Sequence, residues 1–164
     1  MESWELMKIR GIPLRVHPSW FLILLLFTWT AQGQLANVGD TSLSPLLSWL
    51  LGLLTALLLF ISVLLHELGH SFVALHEGVK VESITLFFLG GFARVEKECS
   101  TAMGTLRVAA AGPLVSILLA FLLLRSVEFA TDINPIFGNV LAQIGLLNFV
   151  LALFNLIPGL PLDG

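Results

Sequence analysis

Charged residues along the chain fall into short clusters separated by long apolar stretches. No Asp, Glu, Lys or Arg occurs from Pro18 to Val38, none after Asp40 until Glu67, and none from Val108 to Leu124 or from Ile133 to Leu162. A helix needs about 20 apolar residues to cross about 30 Å of hydrocarbon. The pattern therefore predicts membrane spans at residues 18–38, 45–75, 106–126 and 136–157. Ser44 is placed to cap the second span, and Pro45 suits its first turn. Arg107 and Arg125 bracket the third, with stems long enough to reach the interfaces. Gln32, Gly33, Gln34 and Asn37 dilute the end of the first, and Glu2 and Glu5 ahead of it favour a retained span over a cleaved signal segment.

Between the second and third spans the period shortens. Val79 to Phe88 is rich in β-branched and aromatic residues, Gly90-Gly91 can turn the chain, and Phe92 to Glu96 reads as a second short strand. Leu6 to Val16, alternating around Lys8, Arg10 and Arg15, fits a further strand beside them. The expected fold is an all-α polytopic membrane protein, with about four transmembrane helices and a short β-hairpin or small sheet on the cytoplasmic face. No repeat divides the chain, so residues 1–164 read as one membrane domain.

Composition sharpens this picture. Of 164 residues, 57% are hydrophobic and only 12% charged, with a mean hydropathy of +0.96. Ordinary soluble domains carry about a quarter charged residues, so a soluble or disordered chain is excluded. The 8 Lys and Arg form no dense run, which leaves no basic patch for nucleic acid. The single Cys99 can form no internal disulfide and no cysteine zinc cluster. Lys8, Arg10, Arg15, Lys80, Arg94, Lys97 and Arg107 fall on one side of the spans, and Arg125 alone on the other. The positive-inside rule then places the N-terminus and the inner ends of spans two and four in the cytoplasm. The expected location is the plasma membrane, with the lipid bilayer as a partner.

Candidate chemistry lies at the inner end of span two, in His66-Glu67-Leu68-Gly69-His70. Positions i and i+4 share one helix face, so both imidazoles can address one metal, with Glu67 on the flank beside a metal-activated water. Buried histidines and a carboxylate are costly in a membrane unless they pair, line a cavity or bind metal. Two histidines need a further ligand, and Asp163 is the foremost candidate. It follows an uncharged stretch at the inner end of span four, where Pro158 and Pro161 must end the helix. His76-Glu77 lacks a second histidine at the required spacing and reads as a solvated helix end.

His66-Glu-Leu-Gly-His70, followed by Asn155-Leu-Ile-Pro158-Gly-Leu-Pro161-Leu-Asp163-Gly164, resembles the site-2 protease family of intramembrane zinc metalloproteases, whose signatures are HExxH and NxxPxxPxDG. Gly90-Gly91, Ala111-Gly112-Pro113 and Gly11 to Trp20 resemble features of bacterial members. The resemblance implies one Zn2+ per chain ligated by His66, His70 and Asp163, with Glu67 as general base. It puts Asn155 near the site, able to hydrogen-bond substrate backbone or a developing oxyanion. Gly112 and Pro113 read as helix-packing and kinking residues, and His17 as a satisfied interfacial histidine. The substrate implied is a transmembrane protein, cleaved in or near its membrane segment in regulated intramembrane proteolysis; the hairpin at 81–96 could hold the unwound strand by β-augmentation. Family members continue past this Asp-Gly, so the chain reads as truncated, without the PDZ or CBS domains of many bacterial members. A metal transporter and an inactive scaffold of the same fold are the rival readings. The first should show ligands spread through the spans, and the second has no need of Glu67.

Overall fold

The computed structural model describes residues 3–36, 38, 43–88, 90–97 and 99–156. Along the chain run β1 (Trp4–Ile9), β2 (Ile12–Val16), α1 (Trp20–Leu35), α2 (Pro45–His76), β3 (Val81–Phe87), β4 (Gly90–Val95), α3 (Ala102–Arg125), α4 (Val127–Ile133) and α5 (Pro135–Asn155). Three of these helices, α2, α3 and α5, are long and apolar enough to cross a membrane. The first expected span forms a helix of only 16 residues, Trp20–Leu35, shorter than the about 20 that a crossing needs. The short α4, which charge patterning did not foresee, fills the connection between α3 and α5.

Helix starts follow local chemistry. Ser44 Oγ accepts the Leu47 N–H at the head of α2, with Pro45 in the first turn. Thr101 Oγ1 accepts the Gly104 N–H for α3, and Asn134 Oδ1 accepts the Ile136 N–H for α5. Each cap satisfies a donor that the first helical turn leaves open.

The long α2, 32 residues, is the hub. It packs against α1, α3, α5 and the sheet. Gly52 allows α1 to approach closely: a Cβ there would come within 2.6 Å of the Thr28 carbonyl oxygen and 2.9 Å of the Gln32 nitrogen. Small residues at such crossings let backbones meet where lipid supplies no hydrophobic drive. The outward faces carry exposed Leu22, Leu25, Leu46, Leu114, Leu118 and Phe121, a surface suited to hydrocarbon.

The sheet has the order β1-β2-β3-β4. β1 and β2 form a hairpin whose turn residues Arg10 and Gly11 both have positive φ, 48° and 85°, the geometry that matches strand twist. The Arg10 guanidinium sits 5.4 Å from the centre of the Phe72 ring, fastening this turn to α2. β2 pairs with β3 in parallel, Leu14 opposite Ile84 and Val16 opposite Leu86. The α1–α2 helical hairpin is the crossover that parallel pairing requires. Ile12, Leu14, Val16, Val81, Ile84 and Leu86 form a core with Leu68 and Ala74 of α2. Thus the sheet lies against the C-terminal end of the helix that carries His66 and His70.

One local expectation is corrected. Gly90 and Gly91 belong to β4 instead of making the turn, since Phe87 pairs with Gly90 and Leu86 with Gly91. The reversal lies between Phe87 and Gly90, and Gly91 serves another purpose at the site.

Candidate active site

Helical spacing puts His66 and His70 on one face of α2, and the structure turns that face inward. His66 is 1%, Glu67 3% and His70 8% exposed. The two imidazoles meet edge to face with centroids 4.9 Å apart, and their Nε2 atoms are 3.2 Å apart. Burial of so many polar groups is affordable only where each finds a partner.

The far nitrogens are held from α3. His70 Nδ1 donates to the Val108 carbonyl oxygen at 2.7 Å, and His66 Nδ1 lies 2.9 Å from Ser116 Oγ. A carbonyl only accepts, so His70 carries a proton on Nδ1. From α5, Asn155 Nδ2 donates to His66 Nε2 at 3.1 Å, so that nitrogen presents a lone pair. Asn155 Oδ1 is buried and has no hydrogen-bond partner among the described residues.

Two glycines set the walls. At Gly112 of α3, a Cβ would overlap His70 Nε2 and come within 2.7 Å of His66 Nε2. At Gly91 of β4, it would come within 2.6 Å of Glu67 Cγ and 3.0 Å of Glu67 Oε1. One glycine therefore leaves room beside the paired ring nitrogens, and the other lets the edge strand lie on the carboxylate.

Zinc fits these residues. Two imidazole Nε2 atoms 3.2 Å apart on one helix face would both be available to a zinc ion, and both Nδ1 atoms have oxygen partners of the kind that orient metal-bound histidines. The glycine at 112 keeps the adjacent space free of side chain. A third ligand is needed, and Asp163 lies outside the described residues.

Other expected residues fall as follows. His17 is away from this cluster in its bonding: its Nδ1 accepts the Ser19 hydroxyl at 2.7 Å and the Ser19 N–H at 3.2 Å, at the join of β2 and α1. His76 is exposed, and Glu77, the C-cap of α2, pairs with Arg107 at 3.1 Å. Cys99 is a free, half-buried thiol packed against the sheet core. Sequence reasoning missed Ser116 and the Val108 carbonyl, and it gave Gly91 and Gly112 only backbone roles. A lone serine in an apolar span was the available signal for Ser116; no signal marks which carbonyl a histidine will find.

Comparison with known proteins agrees with this geometry. A model of peptidase family M50 matches residues 54–131. The chain is 53% identical over 155 residues to a Synechocystis sp. protein described as a candidate zinc metalloprotease, covering 94% of this chain and 40% of that protein. It is 40% identical over 162 residues to a zinc metalloprotease of Methanocaldococcus jannaschii, covering 99% of this chain and 43% of that protein. It therefore spans about two fifths of the length of these curated relatives. Among solved structures, the site-2 protease from Methanocaldococcus jannaschii matches with a TM-score of 0.70 and 36% identity, over 99% of this chain and 68% of that one. With both helix-borne histidines, the strand above Glu67 and these likenesses in one register, the chain belongs to the site-2 protease family, peptidase family M50.

Proposed function

We propose that the protein is an intramembrane zinc endopeptidase that hydrolyses peptide bonds in or near the transmembrane segments of membrane-protein substrates. The observation that carries this reading is the buried convergence of His66 and His70 Nε2 atoms, 3.2 Å apart, with Glu67 on the next position of the same helix. His66, His70 and Asp163 would hold one zinc ion per chain. When bound, zinc supplies Lewis acidity that lowers the pKa of water and polarises the scissile carbonyl.

Glu67 then acts as the general base, accepting a proton from the attacking water and returning it to the leaving amine nitrogen. Its burial beneath β4 keeps bulk water from competing for that proton. The Asn155 amide, which reaches His66 Nε2 from α5, would donate instead to the substrate carbonyl as negative charge develops there.

Substrate must arrive as extended chain, since a helix hides its peptide bonds. β4 is an edge strand of the sheet and lies on Glu67, so a strand added to its open side would run past the carboxylate. β3 cannot serve, because β2 and β4 occupy both its sides. The distribution of Lys and Arg favours a multi-pass protein of the plasma membrane, with the N-terminus and the site toward the cytoplasm.

The test is zinc content of the detergent-purified protein, wild type beside Asp163→Ala, followed by cleavage of a transmembrane substrate by wild type and Glu67→Gln. About one zinc per chain, lost in Asp163→Ala, with cleavage abolished in Glu67→Gln, is the expected result. A folded wild type without zinc, or equal cleavage by Glu67→Gln, refutes it.

A further inference from the structure

α3 contributes no candidate ligand, yet it holds the far nitrogen of both imidazoles. Ser116 Oγ lies 2.9 Å from His66 Nδ1, and the Val108 carbonyl oxygen 2.7 Å from His70 Nδ1. Val108, Gly112 and Ser116 succeed one another at four-residue intervals, so carbonyl, glycine and hydroxyl line one stripe of the helix. Ser116 is 0% exposed. Asn155 Nδ2, which can only donate, lies 3.1 Å from His66 Nε2, so that nitrogen accepts; with the ring proton on Nδ1, the Ser116 oxygen accepts it, and this is the tautomer that leaves the Nε2 lone pair available.

We propose that Ser116 is the positioning residue of His66: by accepting the Nδ1–H, its hydroxyl fixes the tautomer and ring plane that bring His66 Nε2 against His70 Nε2 beside Gly112. The corresponding anchor of His70 is main chain, which no substitution removes, so Ser116 is the half of this arrangement that a side chain controls. Burial of a hydroxyl near the site is not enough for the role. Ser62, one turn before His66 on α2, is also buried but bonds the Leu58 carbonyl of its own helix at 3.2 Å. The consequence for zinc rests on the function proposed above, whereas the control of the ring does not.

The experiment uses the full chain labelled with 15N-histidine; with only four histidines, the ring signals are few. In zinc-free wild type and Ser62→Ala, His66 is expected as the Nδ1–H form, and Ser116→Ala should admit an Nε2–H population. With zinc alone as the probe, chelator competition should show Ser116→Ala binding about 10- to 100-fold more weakly. Ser62→Ala should bind as wild type does, and Ser116→Thr, which keeps the hydroxyl, should recover most of the affinity. An unchanged His66 tautomer in Ser116→Ala overturns the proposal whatever zinc does, and unchanged zinc affinity in that variant overturns its consequence for zinc. A wild type that binds no zinc while its His66 tautomer still responds to Ser116→Ala refutes the metal reading and supports the positioning role. Should Ser116→Ala fail to fold, Ser116→Cys, similar in shape but a weak acceptor, is read by the same two measurements.

Discussion

Gly91 of β4 and Glu67 of α2 are in direct backbone-to-carboxylate register: a single methyl at Gly91 would lie 2.6 Å from Glu67 Cγ and 3.0 Å from its Oε1. The edge strand can rest on the proposed general base only because that methyl is missing. Gly91→Val must lift β4 or push Glu67 aside. Cleavage should fall about 100-fold, the scale of a 1 Å misplacement, while zinc content stays at the wild-type level because neither histidine moves. Loss of zinc in this variant would show that the strand positions the ligands as well.

At Gly112 the outcome should be the reverse. An added Cβ overlaps His70 Nε2 and crowds His66 Nε2, so Gly112→Ala should lose zinc as measured by metal analysis. Gly69→Ala is the comparison. Its Cβ would meet Val115 Cγ2 at 3.0 Å and the Ala111 oxygen at 3.1 Å, a tight helix contact that costs about 1–3 kcal/mol of stability but leaves zinc bound.

Glu67→Gln preserves shape and removes the proton acceptor. Zinc content should be unchanged and cleavage should fall by about 10²- to 10⁴-fold, the usual contribution of general base catalysis. Zinc loss in this variant would make Glu67 a ligand instead of a base.

The pair His76-Glu77 should be dispensable for chemistry. Arg107 is 62% exposed in its contact with Glu77, and such pairs contribute about 0–1 kcal/mol. Glu77→Gln should therefore leave zinc content and cleavage within about twofold of wild type, since a surface pair of this size reaches neither histidine. A larger loss would place Glu77 in the site.

Substrate pairing with β4 can be separated from folding of the sheet by where proline is put. Glu96 donates its N–H to the Lys80 carbonyl at 3.0 Å, so by strand alternation the Val95 N–H points to the open side. Val95→Pro should spare the sheet yet reduce cleavage at least about tenfold, if peptide hydrogen bonding across that edge supplies the roughly 1.4 kcal/mol that a factor of ten represents. Ile84 is 1% exposed and paired on both sides, with Leu14 and Ala93; Ile84→Pro should unfold the sheet, visible as lost protein yield. Full cleavage by Val95→Pro would eliminate the edge as a substrate site.

Much of this was legible without coordinates where one physical rule acts locally. Charge-free length marked α2, α3 and α5, helical spacing put His66 and His70 on one face, and Ser44-Pro45 announced a helix start. What stayed hidden depends on contacts between distant segments. Gly91 was read as a turn residue because a glycine pair after a β-branched run signals a reversal, and nothing local says that a carboxylate lies above it. Ser116 is one hydroxyl in an apolar helix, meaningful only once His66 is known to face it. The parallel partnership of β2 with β3 depends on α1 and α2 returning the chain to its starting side, which strand propensity does not encode. Asp163 lies outside the described residues.

The same parallel ladder dictates an order of assembly. Leu14 and Ile84 pair across seventy positions of chain, and everything between β2 and the end of α2 must be in place before they can meet. During synthesis the first hairpin, β1–β2, emerges early with an open edge, and its partner β3 is made only after α1 and α2. β4 follows β3, so the strand that covers Glu67 is laid down after the helix carrying that carboxylate has been inserted. The proposed general base is therefore uncovered on a half-made chain, and the roof over it closes only when α1 and α2 have folded back and brought β3, with β4 beside it, onto β2.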